Sequence, residues 1–211
     1  MTIISKDDNI DKKEEIINKF YNELCLIMTK WCDKYKNNCS GGEMRSCRGK
    51  DIEEFVINTI NYIGQQNNIN IVAIKGDDDK KLLQIDKNNK IIKKNHQVDV
   101  HIYVNNEFIA VIECKSYLDS CYYVRACDDF ILFKKFNYKI KNYIFTLENS
   151  IDEDTKDFTD YITDNICDNI YYMLDGKRSS SKPIYDIKYK KIINRNNFIK
   201  FIDNIYMLAK I

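Results

Sequence analysis

The apolar positions change their spacing several times along the chain, and each change marks a different kind of element. Over residues 7–36, Ile16, Ile17, Phe20, Leu24, Ile27, Met28 and Trp31 recur near 3.6-residue spacing, which predicts a helix with one buried stripe. "NNCSGG" then supplies Asn and Gly breakers. A second helix is expected over about 49–63, with Ile52, Phe55, Val56, Ile60 and Ile63 as its packed stripe. Alternation takes over next. "NINIVAI" (68–74) and "KKLLQID" (80–86) read as strands around the turn "KGDDDK", and "VDVHIYV" and "FIAVIECKS" as a second pair around "NNE". Helical spacing returns over about 119–136, with Asp119 placed to cap the first turn. "NYIFTL" (142–147) reads as a short buried strand. Residues 152–175 read as a helix with Phe158, Tyr161, Ile162, Ile166, Ile170 and Met173 in register. A loop over 176–183 holds the single proline, Pro183; "IYDIKYKKI" is a candidate late strand and "NRNNFIKFIDNIYMLAKI" a closing helix.

This order predicts the α/β class: a central mixed sheet flanked by helices. With 211 residues, no repeat and no dividing linker, a single domain is expected. Its parts are an N-terminal helical segment (1–45), a core (about 46–150) and a C-terminal region of helix and basic loop (151–211). Hydrophobic residues at 44% and charged residues at 31% are ordinary for a globular protein. No run of about 18 apolar residues is present, so no membrane partner is expected. "MTIISKDDNI" lacks a basic segment followed by an apolar one, so the expectation is a cytoplasmic protein whose eight cysteines are reduced thiols. Cys25, Cys32 and Cys39 recur every seven residues with Cys47 eight further on, which lacks the paired spacing of a structural zinc site. The net charge of +1 does not advertise a nucleic-acid partner, but it conceals an acidic stretch, "SIDEDTKDFTDYITDN", and a basic one, "GKRSSSKPIYDIKYKK".

The stretch "QVDVHIYVNNEFIAVIECKS" (97–116) carries charge inside two strands rich in Val and Ile. Gln97, Asp99, His101 and Tyr103 share one face, as do Ile109, Val111, Glu113 and Lys115 on the second strand. A two-residue loop would set Asp99 against Ile112. A three-residue loop over 105–107 pairs Val104 with Phe108 and Asp99 with Glu113. Like charges so opposed are destabilising unless a cation stands between them, and hard divalent cations favour such oxygens. The competing reading makes Asp99 and Glu113 solvent-facing charges of a one-sided sheet, with Lys115 as their surface partner.

Asp on one strand and Glu-Cys-Lys on the next, after the apolar run "FIAVI", resembles the PD-(D/E)XK nuclease superfamily, and within it the type II restriction endonucleases. The resemblance covers about residues 45–147; Val98 stands where the family often has proline. It implies a restriction-endonuclease-like core and Mg2+-dependent hydrolysis of double-stranded DNA at a specific site by a homodimer, with no nucleotide cofactor. Asp99, Glu113 and the Cys114 carbonyl would hold Mg2+, while Lys115 would orient the attacking water and offset developing charge. Family members often place a further glutamate on a helix upstream. In "SCRGKDIEEFVINTI" Glu53 borders the packed stripe and Glu54 falls on the wet side with Asn58 and Asn61, so Glu53 is the expected fourth catalytic residue. Lys177, Arg178, Ser179 and Lys182 of the loop "GKRSSSK", with Arg125 on the helix after the site, are the candidate DNA contacts. The alternatives are a structure-specific or repair nuclease of junction-resolvase type, or a DNA-binding module without catalysis.

Overall fold

The structure, a computed structural model, describes residues 6–37, 39–88, 90–136 and 139–210, with side chains from residue 12 onward; residues 1–5 of the expected helical segment and residue 211 of the closing helix lie outside it. Two helices lead the chain, α1 (Lys6–Lys36) and α2 (Gly41–Asn67). The stripe Ile16, Ile17, Phe20, Leu24, Met28 and Trp31 is buried throughout, as the 3.6 spacing requires. Helix α2 starts eight residues earlier than the apolar pattern suggests. Ser40 caps it by accepting from the Glu43 amide at 3.2 Å, while the Glu43 carboxylate takes the Ser40 N–H at 2.9 Å, a reciprocal capping box. Capped this way, Gly41 and Gly42 are drawn into the first turn despite their poor propensity.

The strands are β1 (Ile71–Lys75), β2 (Lys81–Lys87), β3 (Lys90–His96), β4 (Val100–Val104), β5 (Glu107–Asp119), β6 (Lys141–Ser150) and β7 (Asn169–Tyr172). Five of them form one mixed sheet in the order β1-β4-β5-β6-β7. The β1–β4 and β4–β5 pairs are antiparallel, and β5–β6 and β6–β7 are parallel. Helix α3 (Ser120–Phe136) makes the crossover that the parallel β5–β6 pair needs. Asp119 accepts from the Tyr122 amide at 2.8 Å, the cap that its position suggested. Helices α1, α2 and α5 (Arg195–Leu208) cover one face of the sheet, where Phe55 meets Phe20, Phe145 and Phe198 with ring centroids 6.0–6.2 Å apart. On the other face Tyr123, Cys127, Phe130 and Phe133 of α3 pack on Val98, Val111 and Ile144. The expected class, a mixed sheet between helices, is the observed one.

Four expectations need correction. First, β1 and β2 do not pair with each other: a 3-10 turn at Gly76–Asp78 turns the chain away, and β2 pairs with β3 as a separate two-stranded ribbon. Second, the helix expected over 152–175 is only α4 (Glu153–Ile162). Asp164 and Asn165 adopt left-handed φ of 54° and 51°, and the aromatic run beyond them pairs as β7. Phe158, Tyr161 and Ile162 consequently face solvent at 66%, 84% and 60% exposure, and Thr159 is the buried residue of α4. Third, "IYDIKYKKI" forms no strand; a 3-10 turn at Ile187–Tyr189 interrupts it, and a lone bridge joins Leu174 to Ile193.

The fourth correction concerns the β4–β5 hairpin. Its loop is the two-residue form: Val104 pairs with Glu107, and Asn105 and Asn106 both take positive φ (51° and 67°), as a primed turn demands. A bulge at Ile109 then inserts one residue, so Tyr103 pairs with Phe108 but Ile102 with Ala110 and Val100 with Ile112. Ile109 joins the helix α1–α2 face of the core rather than the Glu113–Lys115 face. Beyond Val100 the register therefore brings Asp99 toward Glu113, which the expected three-residue loop would also have done.

Gly76 fixes where this segment lies. Its N–H donates to the Asp99 carbonyl at 2.9 Å, and a Cβ at this position would fall 1.7 Å from the Val98 carbonyl oxygen. Backbone cannot yield as a flexible side chain can. Gly76→Ala is expected to lower stability by about 2–3 kcal/mol, or roughly 4–12 °C in Tm for a chain of this length. Gly49→Ala, with nothing within 4 Å of its Cβ position, should leave Tm near the wild-type value in the same thermal melts.

Candidate active site

Strand β4 stops pairing one residue before β5 reaches its charged segment. The last rung is Val100 with Ile112, so the Cys114 N–H has no β4 backbone to meet. The Asp99 side chain fills that place, accepting from the Cys114 amide at 2.8 Å, while the Asp99 amide donates to Glu113 Oε2 at 3.4 Å. Lys115, one pleat beyond Glu113 on the same face, reaches back over both acids. Its Nζ lies 3.2 Å from Asp99 Oδ2 and in short contact with Glu113 Oε1. These three side chains are mostly covered, at 31%, 13% and 23% exposure for Asp99, Glu113 and Lys115.

They form the floor of a cavity of about 310 Å3 whose wall adds Glu53 from α2, Asp77 and Gln97 at the root of the β2–β3 ribbon, and Tyr122, Arg125 and Asp129 from α3. Glu53 pairs with Lys75 at 3.2 Å, whereas Glu54 is exposed and lines no part of the cavity. A groove of about 540 Å3 opens beside the cavity, sharing Glu53, Asp99, Lys115 and Tyr122 with it. Its far wall is the stripe Gly42, Ser46 and Gly49, rimmed by Arg45 and Lys50. Among the described residues neither Arg45 nor Lys50 is held in an ion pair.

Burial dominates the electrostatics. It pushes Glu113 up to about 7, and the neighbouring Asp99 carboxylate adds to the rise against the opposing pull of Lys115. Glu53 is raised by burial and by Asp99, with Lys75 opposing. Burial works against the charge on Lys115, but Glu113 and Asp99 outweigh it and hold the ammonium protonated. The site thus concentrates negative charge that a single ammonium balances incompletely. Among the described residues no three His, Cys, Asp or Glu side chains stand together as a ready-made metal cage. The donor chemistry nonetheless suits a hard cation that keeps several waters: two carboxylates, plus the Cys114 carbonyl, which points to the same strand edge as the Cys114 N–H.

The expected site residues divide into two groups. Asp99, Glu113, Lys115, Glu53 and Arg125 line one cavity, and Cys114 lines the groove beside it. The loop residues stand apart. Lys177 pairs at the surface with Glu153 at 3.9 Å, Ser179 contacts Ser181 at 3.0 Å, and the Lys182 amide closes the turn onto the Ser179 carbonyl at 3.2 Å. Arg178 alone borders the groove, stacked 3.9 Å from the ring centroid of Tyr117, one of its lining residues. Sequence reasoning passed over Asp77, Gln97 and Tyr122 as lining residues. Gln97 was within reach, since it alternates onto the Asp99 face. His101 shares that face but is fully buried against Phe108 and Phe133 with its Nδ1 3.1 Å from Asp79, and burial lowers its pKa; it lines no part of the cavity.

Comparison with known proteins adds a limited likeness. No protein-family model matches the chain. It is 30% identical over 100 residues, 41% of this chain and 41% of the relative, to the type II restriction enzyme DdeI of Desulfomicrobium norvegicum. The match thus spans less than half the length of that relative. Among solved structures, the native BbvCI A2B2 tetramer superposes with a TM-score of 0.41 at 8% identity, covering 98% of this chain and 92% of that one. No helix among the described residues is long and apolar enough to cross a membrane.

The raised Glu113 has a consequence for stability. The folded state binds more protons than the unfolded chain between the ordinary carboxyl pKa of 4.5 and about 7, so this group's contribution falls as pH rises through that window. Glu113→Gln, which mimics the protonated form, is expected to be more stable than wild type at pH 8 by roughly 1–2 kcal/mol, or about 2–8 °C in Tm. The difference should shrink on approaching pH 4.5; a constant difference across pH would show that Glu113 titrates normally.

Proposed function

We propose that the chain is a Mg2+-dependent endonuclease of type II restriction kind that hydrolyses phosphodiester bonds of double-stranded DNA at a specific site. One observation carries this reading: Asp99 and Glu113 converge under the ammonium of Lys115, where β4 ends and a polar cavity begins. The partial similarity to DdeI supports it independently of that geometry. The structural alternative, a solvated surface ion cluster, fits poorly with a carboxyl as covered as Glu113.

Asp99, Glu113 and the Cys114 carbonyl are the groups that would hold the ion. When bound, it would polarise the scissile phosphate and make water a stronger nucleophile. Lys115 stays protonated at neutral pH and is placed to orient that water and to offset charge developing on phosphate oxygens. Glu53, half-buried beside Asp99, is placed to accept a hydrogen bond from the same water. Arg45 and Lys50 along the adjoining groove, and Arg125 in the cavity wall, suit flanking phosphates. A symmetric duplex cut in both strands calls for two such sites, hence two copies of the chain.

Plasmid incubated with the protein and Mg2+ should yield discrete fragments. Smearing or branched-substrate cutting would instead indicate a repair nuclease, and an intact plasmid would remove the claim. Asp99→Ala should lose cleavage by at least about a hundredfold while retaining DNA binding, and full activity there would exclude it as a ligand. Glu53→Gln should slow cleavage far more than Glu54→Gln. Equal rates for these two variants would exclude a role for Glu53.

A further inference from the structure

The β2–β3 ribbon has no role in the cavity chemistry, yet it grows out of the cavity wall. Asp77 and Gln97, at its two ends, both line that wall. Its root is fixed: Lys81 pairs with Asp79 at 2.8 Å, His96 contacts the Asp129 carbonyl at 3.1 Å and Leu83 is buried. Past Leu83 no described residue of the ribbon is buried until Lys94 has been passed on the return strand. Leu82, Ile85 and Ile91 are 58%, 54% and 59% exposed. A two-stranded hairpin left to itself is marginal in water, and these apolar side chains gain nothing there.

Charge identifies what it faces. Residues 81–96 carry five lysines against one aspartate in a chain whose net charge is +1. Lys87, Lys90, Lys93 and Lys94 form no ion pair among the described residues. Self-association through this ribbon would bring lysine-rich surfaces together; a polyanion would neutralise them. The shape agrees. Seven residues per strand give a ribbon about 24 Å long, and two strands about 4.8 Å apart fit a B-DNA major groove about 12 Å wide. The register places Leu82 opposite Asn95, Gln84 opposite Lys93 and Asp86 opposite Ile91 on one fully exposed face. Amides suit adenine, lysine suits guanine and an apolar tip suits the thymine methyl.

We propose that the β2–β3 ribbon enters the major groove of duplex DNA and reads base edges with Gln84, Lys93 and Asn95. The inference rests on the endonuclease reading and adds the element that gives it specificity. The test uses the full chain and a random-sequence 30-bp duplex in fluorescence anisotropy across a salt series. The triple variant Lys90→Ala, Lys93→Ala, Lys94→Ala should flatten the slope of log K against log salt by about 2 to 3, while Lys200→Ala on α5 should leave it unchanged. Selection from a randomised duplex pool should show Gln84→Ala or Asn95→Ala losing discrimination at one base pair by about 5- to 150-fold. All these side chains are exposed, so Tm serves as the folding control. An unchanged slope with intact wild-type binding overturns the ribbon and leaves the nuclease reading standing. So does a ribbon variant that turns from dimer to monomer in sedimentation with its DNA affinity intact. A wild-type chain that neither binds nor cuts duplex overturns both.

Discussion

The site depends on a hydrogen bond that replaces a β-rung. Where β4 gives out, the Cys114 amide of β5 would face an empty edge, and the Asp99 carboxylate takes it at 2.8 Å. That bond turns an acidic side chain inward, against the edge of a sheet whose interior is mostly apolar. Once it is in place, Glu113 and Lys115 follow from strand alternation alone. The tight contact of Gly76 with Val98 and the buried His101 between two phenylalanines hold the segment from behind. A charge cluster at a sheet edge keeps a fixed geometry only when its supports cannot drift.

The charge arrangement is costly as it stands. Two covered acids share one ammonium, and burial raises the pKa of Glu113 to about 7. Such frustration is tolerated where a further positive group completes the balance during function. A purely structural cluster would be expected to satisfy its carboxyls within the fold. The neighbouring ion pair of Glu53 with Lys75 shows the same incompleteness, since Glu53 remains raised despite its partner.

Much of this was legible in the sequence, for identifiable reasons. Long stripes such as Ile16 to Trp31 allow one reading, and the Asp99 to Lys115 pattern stands out because charge interrupts a strongly apolar alternation. Failures arose where local pattern was ambiguous. Phe158, Tyr161 and Ile162 look like a buried helical face but lie in water, because the left-handed turn at Asp164 and Asn165 ends α4 and recruits the following aromatics to the sheet edge. Strand β3, "KIIKKNH", was invisible because it buries only His96 and so lacks the one-sided alternation that betrays a core-facing strand. The groove formed by Arg45, Ser46 and Lys50 required knowing that the Ser40 cap extends α2 past two glycines.

The bulge at Ile109 has a wider meaning. The hairpin reaches its functional alignment by adding a two-residue loop and one extra residue in the strand, and a three-residue loop with a regular ladder would reach the same alignment. What is preserved is the rung beside the acids, Val100 opposite Ile112, with the extra residue taken up either in the loop or in the bulge. Removing the bulged Ile109 would leave Ile102 opposite Ala110, whereas a single insertion or deletion that neither loop nor bulge absorbs would exchange inside for outside along the strand. The tip of this hairpin can therefore be redrawn wherever loop and bulge together absorb the change, while the rungs nearest the acids stay where they are.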